Sequence, residues 1–307
     1  MPAWLHTRAA RIALRLVPLV LFAAFLWKEK PWTVDLGAVP KLPLLAVPLL
    51  NFLLYMPFKA LRWRLVLKDP PRFGAILAAM YEGALANVVL GFGSNDMVRA
   101  ARLRAESGTF VRDIGPTIAE RATETAAMAI LVLATTAFGP MPVGVGAAGL
   151  AILAGYAAFF LGAARVGPWL EAHRWRRLGH ALAAARAALG GWRLLGVLLF
   201  SLAGWATEVA QLHFVLGAFG LPADAATATL VLIGINAAVA LPGPPANFGT
   251  FEAGAIGALF LAGITGPTAV AFTVAYHLLH VVPTATVATI VFFARGSTLS
   301  AERSSQR

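Results

Sequence analysis

The chain has 307 residues, 59% of them hydrophobic and 13% charged, where a soluble domain carries roughly 25% charged residues. An ordinary water-dispersed enzyme is excluded, because so much apolar surface would associate, and the lack of cysteine removes disulfide frameworks, thiolate metal sites and cysteine nucleophiles together. The formal charge of +11 does not point to nucleic acid either, since the basic residues lie between apolar runs and form no single polar face.

A polytopic, all-α membrane bundle is therefore expected, and Lys and Arg serve as topology signals. The first apolar window, about 12 to 27, follows Arg8, Arg11 and Arg15 like a signal peptide. The charged Lys28-Glu29-Lys30 after it, without a small-residue cleavage site, favours an uncleaved anchor. A second span is expected at about 42 to 58, followed by a basic stretch from 59 to 72 with Lys59, Arg62, Arg64, Lys68 and Arg72. Residues 73 to 92 are apolar but short, and Arg99, Arg102, Arg104 and Arg112 form another basic stretch after them. Keeping both basic stretches cytoplasmic requires 73 to 92 to dip in and return, a geometry tolerated where protein buries the irregular backbone.

Further spans are expected at about 116 to 138, 143 to 163, 194 to 217 and 268 to 294, with a basic stretch at 165 to 193. Each approaches the roughly 20 apolar residues that a hydrocarbon core about 30 Å thick requires. Trp27, Trp32, Trp63 and Trp192 fall near span ends, as in an aromatic belt. With this count the N-terminus and the tail from Arg295 to Arg307 are both cytoplasmic, and the whole chain is one transmembrane domain of about eight membrane elements.

Between 194 and 294 the only charged residues are Glu208, Asp224 and Glu252. The short windows 224 to 241 and 248 to 264 meet at Leu241-Pro-Gly-Pro-Pro-Ala-Asn-Phe-Gly-Thr250, where three prolines forbid continuous helix. Asn247 or Thr250 can cap the restarting helix, with Glu252 in its first turn, where the helix dipole favours negative charge. This break is expected to enter from outside. It echoes the first one, Asn87-Val-Val-Leu-Gly-Phe-Gly against Asn236-Ala-Ala-Val-Ala-Leu-Pro-Gly, each with an asparagine shortly before the break. Read as an echo, it makes 42 to 163 and 194 to 294 inverted halves with broken helices at a central site; read as chance, it reflects a glycine-rich chain. The expected turn residues are Gly91, Gly93, Pro242, Gly243 and Gly249.

Three motifs resemble the transmembrane domain of lysylphosphatidylglycerol synthases and their flippase-like relatives. They are Gly93-Ser-Asn-Asp-Met-Val-Arg99, Ala119-Glu-Arg-Ala-Thr-Glu124 and, most specific, Leu241-Pro-Gly-Pro-Pro-Ala-Asn-Phe-Gly-Thr-Phe-Glu252. The first departs from the family pattern, with Gly91-Phe92 where Pro-Gly is usual. The resemblance implies a bundle that handles lipids, in relatives that make aminoacyl-lipids or move them between leaflets, in a bacterial cytoplasmic membrane. The soluble aminoacyl-transferase domain of the bifunctional relatives has no counterpart within these residues, so lysine transfer is not expected of this chain alone.

Placing Glu120, Arg121 and Glu124 at the bilayer centre would cost about 2.5 to 3.5 kcal/mol each on insertion scales, so they must be paired or shielded. One reading is a helix start with snorkelling charges. The other is that Arg121 binds a lipid phosphate, which its planar fork matches. Asp96 and Arg99 are three apart and either bridge locally or leave Arg99, with Arg102 and Arg104, to gather anionic headgroups. Glu252 either caps its helix or holds a cationic headgroup or a proton. Glu82 and Glu208 have no opposite charge nearby in sequence. His277 and His280 share a helix face; hydrogen bonding or titration is favoured over a metal site with Glu252 or Glu208. Gly91-Phe-Gly-Ser lacks the strand and lysine of a phosphate loop, so no nucleotide, metal or other cofactor is expected.

These readings converge on a carrier for an anionic, aminoacylated or polyprenyl-phosphate-linked lipid, with Arg99, Arg121, Glu120, Glu124, Glu252, Asn87, Asn236 and Asp96 at the headgroup. The alternatives are a membrane-embedded transferase with Glu120, Glu124 or Glu252 as general base, or a partner subunit of a separate lipid-modifying enzyme. Membrane lipids are the expected partners, with self-association or an enzyme partner as further expectations.

Overall fold

The computed structural model describes residues 8–67, 69–91, 93–107, 114–139, 141–172, 176–241 and 243–305. Among them every regular element is helical. In chain order these are α1 (Arg8–Glu29), α2 (Lys41–Val66), α3 (Phe73–Leu90), α4 (Ser94–Ser107), α5 (Ile114–Phe138), α6 (Val143–Ala172), α7 (Arg176–Ala188), α8 (Trp192–Ala218), α9 (Ala225–Val239), α10 (Thr250–Leu261) and α11 (Pro267–Ser305). Lys41–Val66, Phe73–Leu90, Trp192–Ala218 and the Pro267–Arg295 part of α11 are long and apolar enough to cross a bilayer. By contrast α9 and α10, with 15 and 12 residues, reach only about 22 and 18 Å at 1.5 Å per residue, short of a hydrocarbon core about 30 Å thick.

The chain forms two compact units interleaved along the sequence. Unit 1 draws on 1–49, 81–95 and 209–307; unit 2 draws on 50–80 and 96–208. Unit 1 holds the α9–α10 pair, whose backbones touch at Gly234 and Gly254. A Cβ on either would collide with the carbonyl oxygen of the other, the small-residue contact that lets helices approach closely in lipid. Asp224 starts α9 by accepting from the Thr227 backbone N–H at 2.9 Å and its hydroxyl at 2.8 Å, an N-cap that satisfies one of the helix's orphan donors.

Three expectations need correction. The window expected at 73 to 92 does not turn back over residues 73–90: α3 is uninterrupted, since it contains no proline and its glycines are isolated. The break follows it, at Gly91 and Gly93, both at positive φ. The basic stretch 59 to 72 is no loop at its start, because α2 continues to Val66 and the first strong helix stop comes at Asp69-Pro-Pro71. Most of the basic stretch 165 to 193 is likewise helical, in the end of α6 and in α7. Lys68, Phe92, Arg112 and Pro242 lie outside the described residues.

Candidate functional site

Unit 2 gathers a cluster of buried charges. In the middle of α2 the residues Asn51–Tyr55 form a π-turn, a feature frequent at functional sites. One and two turns beyond it are Lys59 and Arg62. Arg62 is 3% exposed; its Nε and Nη2 donate to Glu120 Oε1 at 3.2 and 2.8 Å, and Nη2 also donates to Glu124 Oε1 at 3.1 Å. Its Nη1 reaches Ser201 Oγ at 3.4 Å. Arg99, from α4, completes the other side: Nη2 donates to Glu120 Oε2 at 2.7 Å and Nη1 to Oε1 at 3.3 Å. Beneath Arg99 the Trp63 ring lies 4.3 Å from the guanidinium carbon, a cation–π contact in a dry setting. The Nε of Arg99 is buried without a hydrogen-bond partner.

At the rim, Asp96 bridges two helices. It pairs with Arg99 at 3.2 Å and with Arg121 at 2.9 Å, and Arg121 Nη1 donates to Glu124 Oε2 at 3.0 Å. The indole Nε1 of Trp205 donates to the Glu124 carbonyl at 3.0 Å. Arg62, Arg99 and Arg121 thus face Asp96, Glu120 and Glu124, and their formal charges cancel. Buried charges are tolerated only when paired and hydrogen-bonded in this way. Arg121 differs from its neighbours: its side chain is 49% exposed, against 2% for Arg99. Beside it runs a groove of about 450 Å³ lined by Thr117, Ile118, Arg121, Ala122 and Thr125 of α5 and by Ile152, Tyr156 and Phe159 of α6. A cation at the edge of an otherwise mainly apolar groove offers a phosphate contact next to space for a chain. Elsewhere in this unit the Tyr55 hydroxyl hydrogen-bonds with Glu208.

Unit 1 holds the second break. Glu252 Oε2 accepts from the Gly249 backbone N–H at 2.7 Å, so Gly249, at φ 85°, is the capping position. Neither Asn247 nor Thr250 takes that place, because only glycine readily adopts this backbone angle. Glu252 Oε1 meets His277 Nδ1 at 2.7 Å, while His277 Nε2 meets the Ala246 carbonyl at 3.0 Å. Phe251 stacks on the imidazole at 4.1 Å. The two breaks lie against each other in this unit: a Cβ on Gly91 would sit 3.4 Å from the Gly243 carbonyl oxygen.

The backbone carbonyl of Asn87 accepts from Gly91 N–H at 3.0 Å, and the Asn236 amide donates to Leu232 O at 2.8 Å. His280 Nε2 meets the Tyr276 hydroxyl at 3.1 Å, and among the described residues no three His, Asp or Glu side chains gather to hold a metal. Trp63 is 1% exposed and no part of a belt, whereas Trp27, Trp32 and Trp192 are open. Sequence reasoning missed Arg62, Trp63, Ser201 and Trp205 as members of the cluster. The signal for Arg62 was the missing helix stop between 58 and 68.

A helical membrane protein with a charge-balanced cluster inside one unit and a broken helix pair inside the other is the class these features define. The chain belongs to the family described as the lysylphosphatidylglycerol synthase TM region, whose profile matches residues 9–288. It is accordingly a multi-pass membrane protein related to phospholipid handling. No curated protein and no solved structure matches it.

Proposed function

We propose that this protein carries an anionic phospholipid or a related phosphate-linked lipid between leaflets. The observation that supports this reading best is Arg121 at the edge of the α5–α6 groove. It is the half-exposed member of a cluster whose other arginines, Arg62 and Arg99, are buried against Glu120. In this reading a lipid phosphate takes the Arg121 Nη2 contact now held by Asp96, and one acyl chain lies along Ile118, Ile152 and Phe159. Glu124 holds Arg121 Nη1 at 3.0 Å and Asp96 keeps its pairing with Arg99, so the headgroup meets a preorganised cation. The broken helices of unit 1 supply helix ends and irregular backbone of the kind that transporters place at a central site. The basic N-terminal run and the tail from Arg295 favour a cytoplasmic position for both ends in a bacterial inner membrane.

The test is reconstitution into liposomes with leaflet-specific lipid labels, followed by mass spectrometry of the lipids. Redistribution of an anionic lipid without chemical change, lost in Arg121→Gln, is the expected outcome. A new lipid species would establish a transferase. Neither change, with folded protein, would leave the role of partner subunit to a separate enzyme.

A further inference from the structure

We infer that Glu252 and His277 form a proton-binding site that holds the α9–α10 break closed. The inference follows from counting donors. The Ala246 carbonyl can only accept, so His277 Nε2 must carry a hydrogen to make the 3.0 Å contact. At the other end, Nδ1 and Glu252 Oε1 are 2.7 Å apart, so a hydrogen must lie between them too, whichever atom it is bonded to. Two arrangements satisfy this, an imidazolium beside a carboxylate or a neutral imidazole accepting from a protonated carboxyl. Both contain two protons shared over the pair. With one proton fewer, a lone pair faces an acceptor at one of the two contacts, and that contact opens.

Among the described residues of unit 1 the other buried carboxylate is Glu82 of α3, and the pair itself lies in a mainly apolar shell. Glu252 is 1% and His277 2% exposed, and Phe251 and Phe248 cover the ring at 4.1 and 4.8 Å. On α10 the only titratable residue is Glu252, and the break segment 241–249 and α9 contain none. On α11 the titratable groups nearby are Tyr276 and His280, which bond to each other. From α1, which also packs on α10 and α11, the charges with described side chains, Lys28 and Glu29, sit at its C-terminal end. What the proton secures is strained backbone. Ala246 and Asn247 adopt φ of 52° and 59°, left-handed angles that a non-glycine residue holds only when its surroundings impose them. The His277 bond to Ala246 O and the Glu252 bond to Gly249 N clamp that segment, together with the Thr250 hydroxyl bond to Asn247 O. Releasing one proton leaves a single hydrogen on the imidazole, and because the charged Glu252 carboxylate is a stronger acceptor than the neutral Ala246 carbonyl, that hydrogen stays on Nδ1 and the Ala246 end of the break is freed.

The inference stands apart from the identity of any lipid and is tested without one. Full-length protein in lipid nanodiscs is followed by hydrogen exchange and mass spectrometry from about pH 5 to about pH 9, bracketing the unperturbed imidazole value of roughly 6.5. Rates are corrected for intrinsic exchange. The comparison is Glu252→Gln, whose amide can donate to Nδ1 and accept from Gly249 N–H, so that both contacts persist with a neutral imidazole and no carboxylate to draw its hydrogen away from Ala246. At the acid end the two proteins should protect residues 243–252 equally. At the alkaline end the wild type should lose about tenfold or more of that protection, the factor expected for one buried hydrogen bond, while Glu252→Gln stays closed. Equal protection of both proteins at every pH would overturn the inference, as would a Glu252→Gln break that is open throughout. If the variant does not fold, the wild type decides alone: protection of 243–252 that does not fall with pH relative to the C-terminal half of α10 refutes the site.

Discussion

Replacing Glu120 by Gln is the most informative single change in the charge cluster. Glu120 accepts four hydrogen bonds, two from Arg62 and two from Arg99, and it is 1% exposed. Hydrogen bonds to charged groups are worth about 1.5–3 kcal/mol each, so losing all four would exceed any realistic effect. Gln keeps one acceptor oxygen of the same shape but turns an NH₂ toward an arginine and leaves the cluster with a net positive charge. The expected cost is therefore that of breaking a buried pair, about 3–5 kcal/mol. It should appear as a lowered unfolding midpoint in lipid nanodiscs or mild detergent. Adding Arg99→Met to Glu120→Gln restores the charge balance and should recover part of the loss, giving a favourable coupling in the double-mutant cycle. A Glu120→Gln protein within about 0.5 kcal/mol of the wild type, or strictly additive single changes, would refute the argument that Glu120 neutralises the two arginines.

Arg62→Met should destabilise by a similar amount in the same unfolding assay, because it strands Glu120 and Glu124 on fewer cations, whereas Arg64→Met, at an exposed position, should change stability by less than about 0.5 kcal/mol. Gly254→Ala forces a methyl against the Gly234 carbonyl and should cost about 1–3 kcal/mol, while Gly257→Ala, with open space around its Cβ, should be neutral or slightly stabilising; thermal unfolding of the pair separates packing from helix propensity. Asp224→Ala should cost about 1 kcal/mol through loss of the α9 cap. The bonds from Thr227 hold the Asp224 carboxyl below its usual value, so the cap's contribution is present above about pH 4, the unfolded value, and fades as pH falls through the folded one. Unfolding midpoints of the wild type should therefore drop in acid more than those of Asp224→Ala.

Hydropathy alone located the long apolar helices near 42–58, 194–217 and 268–294 because an apolar run has few other fates, and the prolines of 241–245 located the second break because proline cannot continue a helix. The first break was visible in Gly91 and Gly93, but its geometry was misjudged. A parity count of basic loops assumed that Arg62 lay in a loop. Whether an arginine at a span end snorkels or turns inward depends on carboxylates 58 and 62 residues away, and nothing local encodes that. The pairing of Arg121 with Glu124, three residues apart on one helix, was readable from spacing. The pairing of His277 with Glu252 was not, since it needs the break to fold Ala246 against α11. Glycines 234 and 254 looked like ordinary membrane-helix composition, and their role emerges only from the contact between α9 and α10.

The lipid account rests on the groove beside Arg121, and photo-crosslinking tests it there. A photoreactive residue at Ile152, on the α6 wall of the groove, should capture phospholipid from a mixed anionic and zwitterionic nanodisc. The account predicts enrichment of anionic lipid in the adduct, and loss of that enrichment when Arg121→Gln is added to a protein that remains folded. Adducts that mirror the bulk lipid composition, or that keep the same composition without Arg121, would contradict it.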